Sequence, residues 1–345
     1  MQELITRQEA ETGVAISAEV GQAANDAAGA MAFVDYRSRR APNTVRQQDA
    51  ALNLFASYLA SVTDPAPSGY ELARDPQSWA GVTWGLVEGF QKSMIAQSYA
   101  ISTVNVRVST VKTYAKLAAK AGALSTEALA MIRTVASYAR KEGLRLDERR
   151  ELAGVPTRVG HKKATANVLT SSQIVALKSQ PDTPQGRRDR VLVSLMLDLG
   201  LRVSEVAGLA VSNVNLAAGE LTFYRGKVDL WQTHRLNGLQ KAVASYLTQD
   251  APAIGPLLRA TRKGGHWTHD GMSTRCISER VRYLGAKIGV GGLSAHDLRH
   301  TWASLAARHG TALDRLMDAG GWASPAMPMR YIEAAAIANE GVQLG

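Results

Sequence analysis

Residues 296–310 read HDLRHTWASLAARHG. Two histidines and an arginine fall within five positions, at the mouth of an apolar, Ala-rich segment with a helical period. A helix held only by packing has no use for so many donors in its first turn. His296 and Arg299 lie three apart, one helical turn, so both project from the same face. Such a face suits an anion.

The bulk of the chain agrees. At 345 residues it is long enough for two domains. Its formal net charge of +10 points to a polyanionic partner. Residues 1–30 are net −4, 31–167 net +8 and 168–345 net +6, so both main portions are basic. Cys276 is the only cysteine, which excludes an intramolecular disulfide and argues against a cysteine zinc site. No apolar run has the length of a membrane span, and Glu3, Glu9 and Glu11 stand where an export signal would be basic, then apolar. These features describe a cytoplasmic protein with no membrane partner.

Residues 1–30 read as an N-terminal helical arm or flexible tail. Residues 31–150 form a helical domain, with Pro42 opening a helix whose Leu52, Phe55, Tyr58 and Leu59 share a face. Further helices are expected over 78–96, 98–121 and 125–143, with Gly122 as a stop. In the second of these, Lys112, Lys116 and Lys120 recur every four residues beside Arg107, a stripe able to track phosphates or simply to face water. Residues 144–167 are polar and basic, and 151–167, containing Lys162 and Lys163, read as an interdomain linker that can touch DNA. Residues 168–345 form a second domain with a C-terminal tail. It starts with a helix capped by Thr170 or Ser171, breaks at Gly200, and carries a β-hairpin over 220–236 around a Gly-Lys turn. Helices return over 238–248, 273–289, 294–309 and 311–319.

Six residues of this second domain belong together: Arg202 in GLRVSE, Lys227 in RGKVD, His296 and Arg299, Trp322 after a Gly pair, and Tyr331 in MRYIEA. Taken singly, each has an ordinary explanation. An arginine at a helix start caps it, a hairpin-tip lysine is solvated, and a late Trp or Tyr packs. Their order and spacing are another matter. Lys227 follows Arg202 by 25 residues, Trp322 follows Arg299 by 23, and Tyr331 comes nine further on.

In that pattern the chain resembles the tyrosine site-specific recombinases, the phage integrase family, across about 202–333. More loosely, the helical portion opened by APNTVRQQ resembles the family's core-binding domain. The resemblance implies a mainly α fold with a small antiparallel β element. An all-helical, SAM-like core-binding domain and a mixed α/β catalytic domain would close as a C-shaped clamp around DNA. It also implies a homotetramer acting on double-stranded DNA at a specific recombination site, through a four-way (Holliday) junction. No cofactor, metal or small-molecule substrate is expected. Most members carry histidine where this chain has Trp322, whose indole N–H can donate a hydrogen bond but cannot titrate. Glu205 and His300 match supporting positions.

The expected chemistry follows. Arg202 and Arg299 offer guanidinium forks to the non-bridging oxygens of a scissile phosphate, with Trp322 and His296 as further donors. Losing one such donor costs about 3–4 kcal/mol of barrier. By resemblance, Tyr331 attacks and leaves a 3′-phosphotyrosyl link, whose retained bond energy permits religation without ATP. His296 is the candidate base toward the tyrosine, and Lys227 the candidate acid toward the departing 5′-oxygen. A type IB topoisomerase-like nicking-closing enzyme and an inactive architectural DNA-binding protein stand as alternatives.

Overall fold

The computed structural model describes residues 16–159, 167–262 and 264–335. The start of the expected arm, Lys162, Lys163 and most of the tail after Tyr331 lie outside the described residues. The chain divides into two compact units, residues 1–162 and 163–345. Among the described residues, no helix is long and apolar enough to cross a membrane.

The first unit is helical: α1 (Ala18–Ala30), α2 (Ala32–Ser38), α3 (Pro42–Leu59), α4 (Gly69–Leu72), α5 (Trp84–Ala96), α6 (Ile101–Lys120), α7 (Thr126–Thr134) and α8 (Arg140–Leu152). Pro42 fits the first turn of α3, where its missing N–H costs nothing. The apolar face of α3 buries Leu52, Phe55 and Leu59 against Val104, Val108, Val111 and Tyr114 of α6. Gly122, at φ +75°, lets the chain turn after α6.

Two expectations need correction here. The single helix over 125–143 is broken at 135–139, because three side chains from α5 and α6 hold the broken backbone. Gln91 Nε2 donates to Ala136 O at 2.8 Å, and Asn105 exchanges hydrogen bonds with Tyr138 O and N at 2.9 and 3.0 Å. Lys112 Nζ donates to the carbonyls of Val135 and Arg133. Backbone groups released from a helix need such partners when buried. The second correction concerns the helix expected to end at 143: a helix, α8, runs through 144–152, into the first two residues of the expected linker. Arg150 is buried there, donating to Tyr99 O at 3.2 Å and to Ile95 O at 2.5 Å.

The second unit contains α9 (Ser171–Lys178), α10 (Pro184–Leu197) and α11 (Val203–Ala207). The strands β1 (Val214–Asn215), β2 (Glu220–Arg225) and β3 (Leu230–Arg235) follow, then α12 (Gln240–Gln249), β4 (Arg259–Thr261) and β5 (Trp267–Gly271). The helices α13 (Thr274–Lys287), α14 (Ala295–Arg308), α15 (Leu313–Gly320) and α16 (Ala326–Ala335) complete it. Thr170 caps α9. The C-terminal half of α10 buries Val191, Leu192, Val193, Leu195 and Met196 on nearly every side, as a helix end running through a core must, while its first half carries Arg187, Arg188, Asp189 and Arg190. Strands β1, β2 and β3 form an antiparallel sheet in that order, with Arg225 opposite Leu230 at the hairpin end. The β4–β5 pair is an addition to the expected elements, short and bulged.

Gly200 ends the segment after α10 at φ +64°, and any Cβ there would collide with the Trp302 ring of α14. Gly200→Ala should therefore destabilise the chain by about 2–4 kcal/mol, combining left-handed strain with overpacking. A urea midpoint matching that of the wild type would contradict this.

Candidate active site

The site forms where five chain segments meet: the break before α11, the end of β2, the start of α14, the Gly-Gly-Trp turn after α15, and α16. Ser294 and Asp297 cap α14 reciprocally, Ser294 N donating to Asp297 Oδ2 at 2.7 Å and Asp297 N donating to Ser294 Oγ at 3.2 Å. Asp297 also receives Asn167 N at 3.0 Å. The second residue of HDLRH thus anchors the helix that carries the other polar residues.

Arg202 is the N-cap residue of α11, and its own N–H donates to Glu205 Oε2 at 2.7 Å. Its guanidinium donates to Glu205 Oε1 at 2.8 Å and to Gly321 O at 2.9 Å. A guanidinium has five N–H donors, and the Arg202 side chain keeps an exposed edge. Arg299 is buried, with Nη1 donating to Gly200 O and Nη2 to Gly320 O. Its guanidinium carbon lies 4.5 Å from the centre of the Trp322 ring, a cation–π contact. Trp322 stacks in turn on Trp302 at 6.0 Å. Burial, and then the Arg202 charge, push the Arg299 guanidinium below its ordinary value.

Beneath both lies a residue absent from the expected set. Arg225, from the RGK triplet, is completely buried. It donates to both Glu205 oxygens at 3.2 and 3.3 Å, to Gly320 O at 3.2 Å and to Ala319 O at 2.6 Å. Gln232 Oε1 and His234 Nε2 complete its shell. The sequence did hold a signal: strand alternation places Leu221, Phe223 and Arg225 on one face, and that face is inward. The Gly pair follows from this packing. A Cβ on Gly321 would stand 2.6 Å from Arg225 Cδ, and one on Gly320 would enter the Trp322 ring.

Tyr331, on α16, is buried, and its hydroxyl lies 3.0 Å from His300 Nδ1. His300 Nε2 is 2.9 Å from His296 Nε2. On α14, His300 thus faces Tyr331 of α16, and His296, the candidate base, stands one ring further back. Burial raises the Tyr331 phenol, while Arg299 opposes that shift. Desolvation, then neighbouring positive or imidazole groups, hold both histidines below the usual imidazole value.

Arg202, Glu205, Arg299, His300, Trp322 and Tyr331 therefore form one connected cluster, with His296 at its edge. Lys227 lies exposed on the turn between β2 and β3. Of the expected DNA-binding stripe, Lys116 and Lys120 are exposed, whereas Lys112 turns inward to cap α7 and Arg107 sits over the Tyr99 ring at 4.5 Å. No group of three or more His, Cys, Asp or Glu residues able to hold a metal occurs among the described residues.

The model of the phage integrase family matches residues 167–336. Tyrosine recombinase XerD of Neisseria meningitidis is 31% identical over 219 residues, covering 62% of this chain and 74% of the relative. XerD of Staphylococcus aureus is 30% identical over 165 residues, covering 46% and 55% respectively. The Tn1549 transposon integrase, solved with transposon right end DNA, aligns with a TM-score of 0.59 at 12% identity, over 88% of this chain and 94% of that one. A lambda integrase dimer bound to a COC′ core site aligns with a TM-score of 0.58 at 13% identity, over 91% and 95%. The chain belongs to the phage integrase family. It is a site-specific recombinase that cleaves and rejoins DNA.

One consequence is readable in solution. Burial, and then Arg225, depress His234 to about 4 from an ordinary 6.5. Between those values the unfolded chain binds the extra proton, so this contribution is complete above pH 6.5 and is lost as pH falls toward 4. The urea midpoint should fall more steeply from pH 7 to pH 5 in the wild type than in His234→Gln. Equal slopes would rule this out.

Proposed function

We propose that the chain recombines double-stranded DNA at a specific site as a homotetramer in the cytoplasm, passing through a four-way junction, with Tyr331 as the nucleophile. One observation carries the assignment. The Tyr331 ring packs on Trp322, which lies against Arg299, and Arg202 joins that cluster through Gly321 O. In this reading residues 31–150, within the first unit, are the core DNA-binding domain, and 151–167 link it to the catalytic portion, 168–345. The exposed Lys116 and Lys120 follow the phosphate backbone there.

Arg202 and Arg299 bind the non-bridging oxygens of the scissile phosphate and stabilise the charge that builds on them in the pentacoordinate transition state. They are preorganised, because Glu205 and the Gly200, Gly320 and Gly321 carbonyls already fix both forks. Trp322 holds the Arg299 plane from one side. The Tyr331 oxygen bonds to phosphorus as the 5′-oxygen leaves, giving a 3′-phosphotyrosyl intermediate. Lys227, on the exposed turn, supplies the proton to the 5′-oxygen.

Tyr331→Phe should abolish covalent attachment while leaving gel-shift affinity for the site unchanged, since only the nucleophilic oxygen is lost. A suicide substrate on a denaturing gel reports this directly, and an adduct persisting in the variant would remove Tyr331 from its role.

Lys227→Ala should slow cleavage by about 10²- to 10⁴-fold, the usual range for a general acid. A 5′-bridging phosphorothiolate, whose thiolate leaves without a proton, should restore most of that rate. It should not rescue Arg202→Ala or Arg299→Ala, which act on other oxygens. Equal rescue of all three would remove the lysine from this role.

A further inference from the structure

The Tyr331 hydroxyl is buried, so its proton needs a path through protein. Among the described residues its hydrogen-bond partner is His300, with Nδ1 at 3.0 Å and Nε2 at 3.4 Å. The ring of His300 meets those of Tyr331 and His296 edge to face, at 5.2 and 4.4 Å between centres. His296 is exposed. The three groups thus run from a buried oxygen to solvent in two hydrogen bonds.

We propose that His300 is a catalytic residue of this recombinase, the acceptor of the Tyr331 proton, and that His296 relays that proton to solvent. The proposal rests on Tyr331 being the nucleophile. Hydrogen-bond chemistry fixes the tautomers. A phenol donates, so His300 Nδ1 must present its lone pair. Its Nε2 then carries the hydrogen and donates to the lone pair of His296 Nε2 at 2.9 Å. Both rings must be neutral for this, and their depressed basicity keeps them so near pH 7.

The step balances. As the Tyr331 oxygen forms its bond to phosphorus, its O–H bond breaks and an N–H bond forms at His300 Nδ1. The Nε2 hydrogen of His300 passes to His296 Nε2, leaving His300 neutral and His296 cationic. The 5′-oxygen departs with a proton from the general acid. On religation the same relay runs backward and returns the proton to the tyrosyl oxygen. A cationic His296 beside Arg299 is unfavourable, so the proton moves on to solvent. Arg299 also favours the anionic phenol at the moment of transfer.

The test is single-turnover cleavage of a suicide substrate by the full chain. His300→Asn keeps a hydrogen-bonding side chain but cannot titrate. It should cleave about 10²- to 10⁴-fold more slowly than the wild type, with unchanged site affinity. Replacing Tyr331 by a fluorotyrosine, whose phenol ionises more readily, should recover most of that loss while changing the wild type little. The 5′-bridging phosphorothiolate should not recover it, because it relieves the leaving group only. Should His300→Asn fail to fold, His300→Ala supplied with free imidazole asks the same question, and recovery with imidazole concentration is expected. Wild-type cleavage by His300→Asn, or a defect indifferent to fluorotyrosine and to imidazole, would overturn the relay. If Tyr331→Phe still forms the adduct, the nucleophile assignment falls instead; if it does not while His300→Asn cleaves normally, only the relay falls.

Discussion

Glu205 is a buried carboxylate held by two guanidiniums, those of Arg202 and the fully buried Arg225. Taking such ions out of water costs several kcal/mol each, and the cost is offset only where every donor finds an acceptor. For these two the acceptors are Glu205 and the carbonyls of residues 319, 320 and 321, and the buried Arg299 beside them donates to the carbonyls of 200 and 320. The break before α11, the turn after α15 and the hairpin strand are therefore tied to one charged centre. Gln232 strengthens the tie, donating to Asp318 O at 2.8 Å.

That arrangement explains how three arginines can stand together. One carboxylate cannot neutralise them, and the carbonyl dipoles make up part of the difference. Of the three, Arg202 alone keeps an exposed edge, and in the proposed function a phosphate would complete the set there. In this sense the anion is the missing counter-charge of a centre built with a deficit.

Much of the site was legible because spacing survives when packing is unknown. Arg202, His296, Arg299, Trp322 and Tyr331 stand at intervals that local rules do not require, and the family match rests on that same portion of the chain. Other features depend on partners remote in sequence. Lys112 looks like a surface stripe member until the broken helix after α7 offers it carbonyls. Arg225 looks solvated beside an exposed turn, and only the inward face of β2 reveals it. The choice between His296 and His300 depends on the side from which α16 approaches α14, and no periodicity within α14 encodes that. The β4–β5 pair is too short to stand out from its glycine-rich surroundings.

The close approach of Gly321 to Arg225 has a meaning for descent as well as for packing. A side chain at 321 and an arginine at 225 compete for the same space, so the glycine cannot be replaced while the arginine stays. A lineage that replaces the glycine must first shorten the residue at 225, and a lineage that does so leaves Glu205 with one guanidinium fewer. The two sites, 96 residues apart in the chain, should be inherited as a single character.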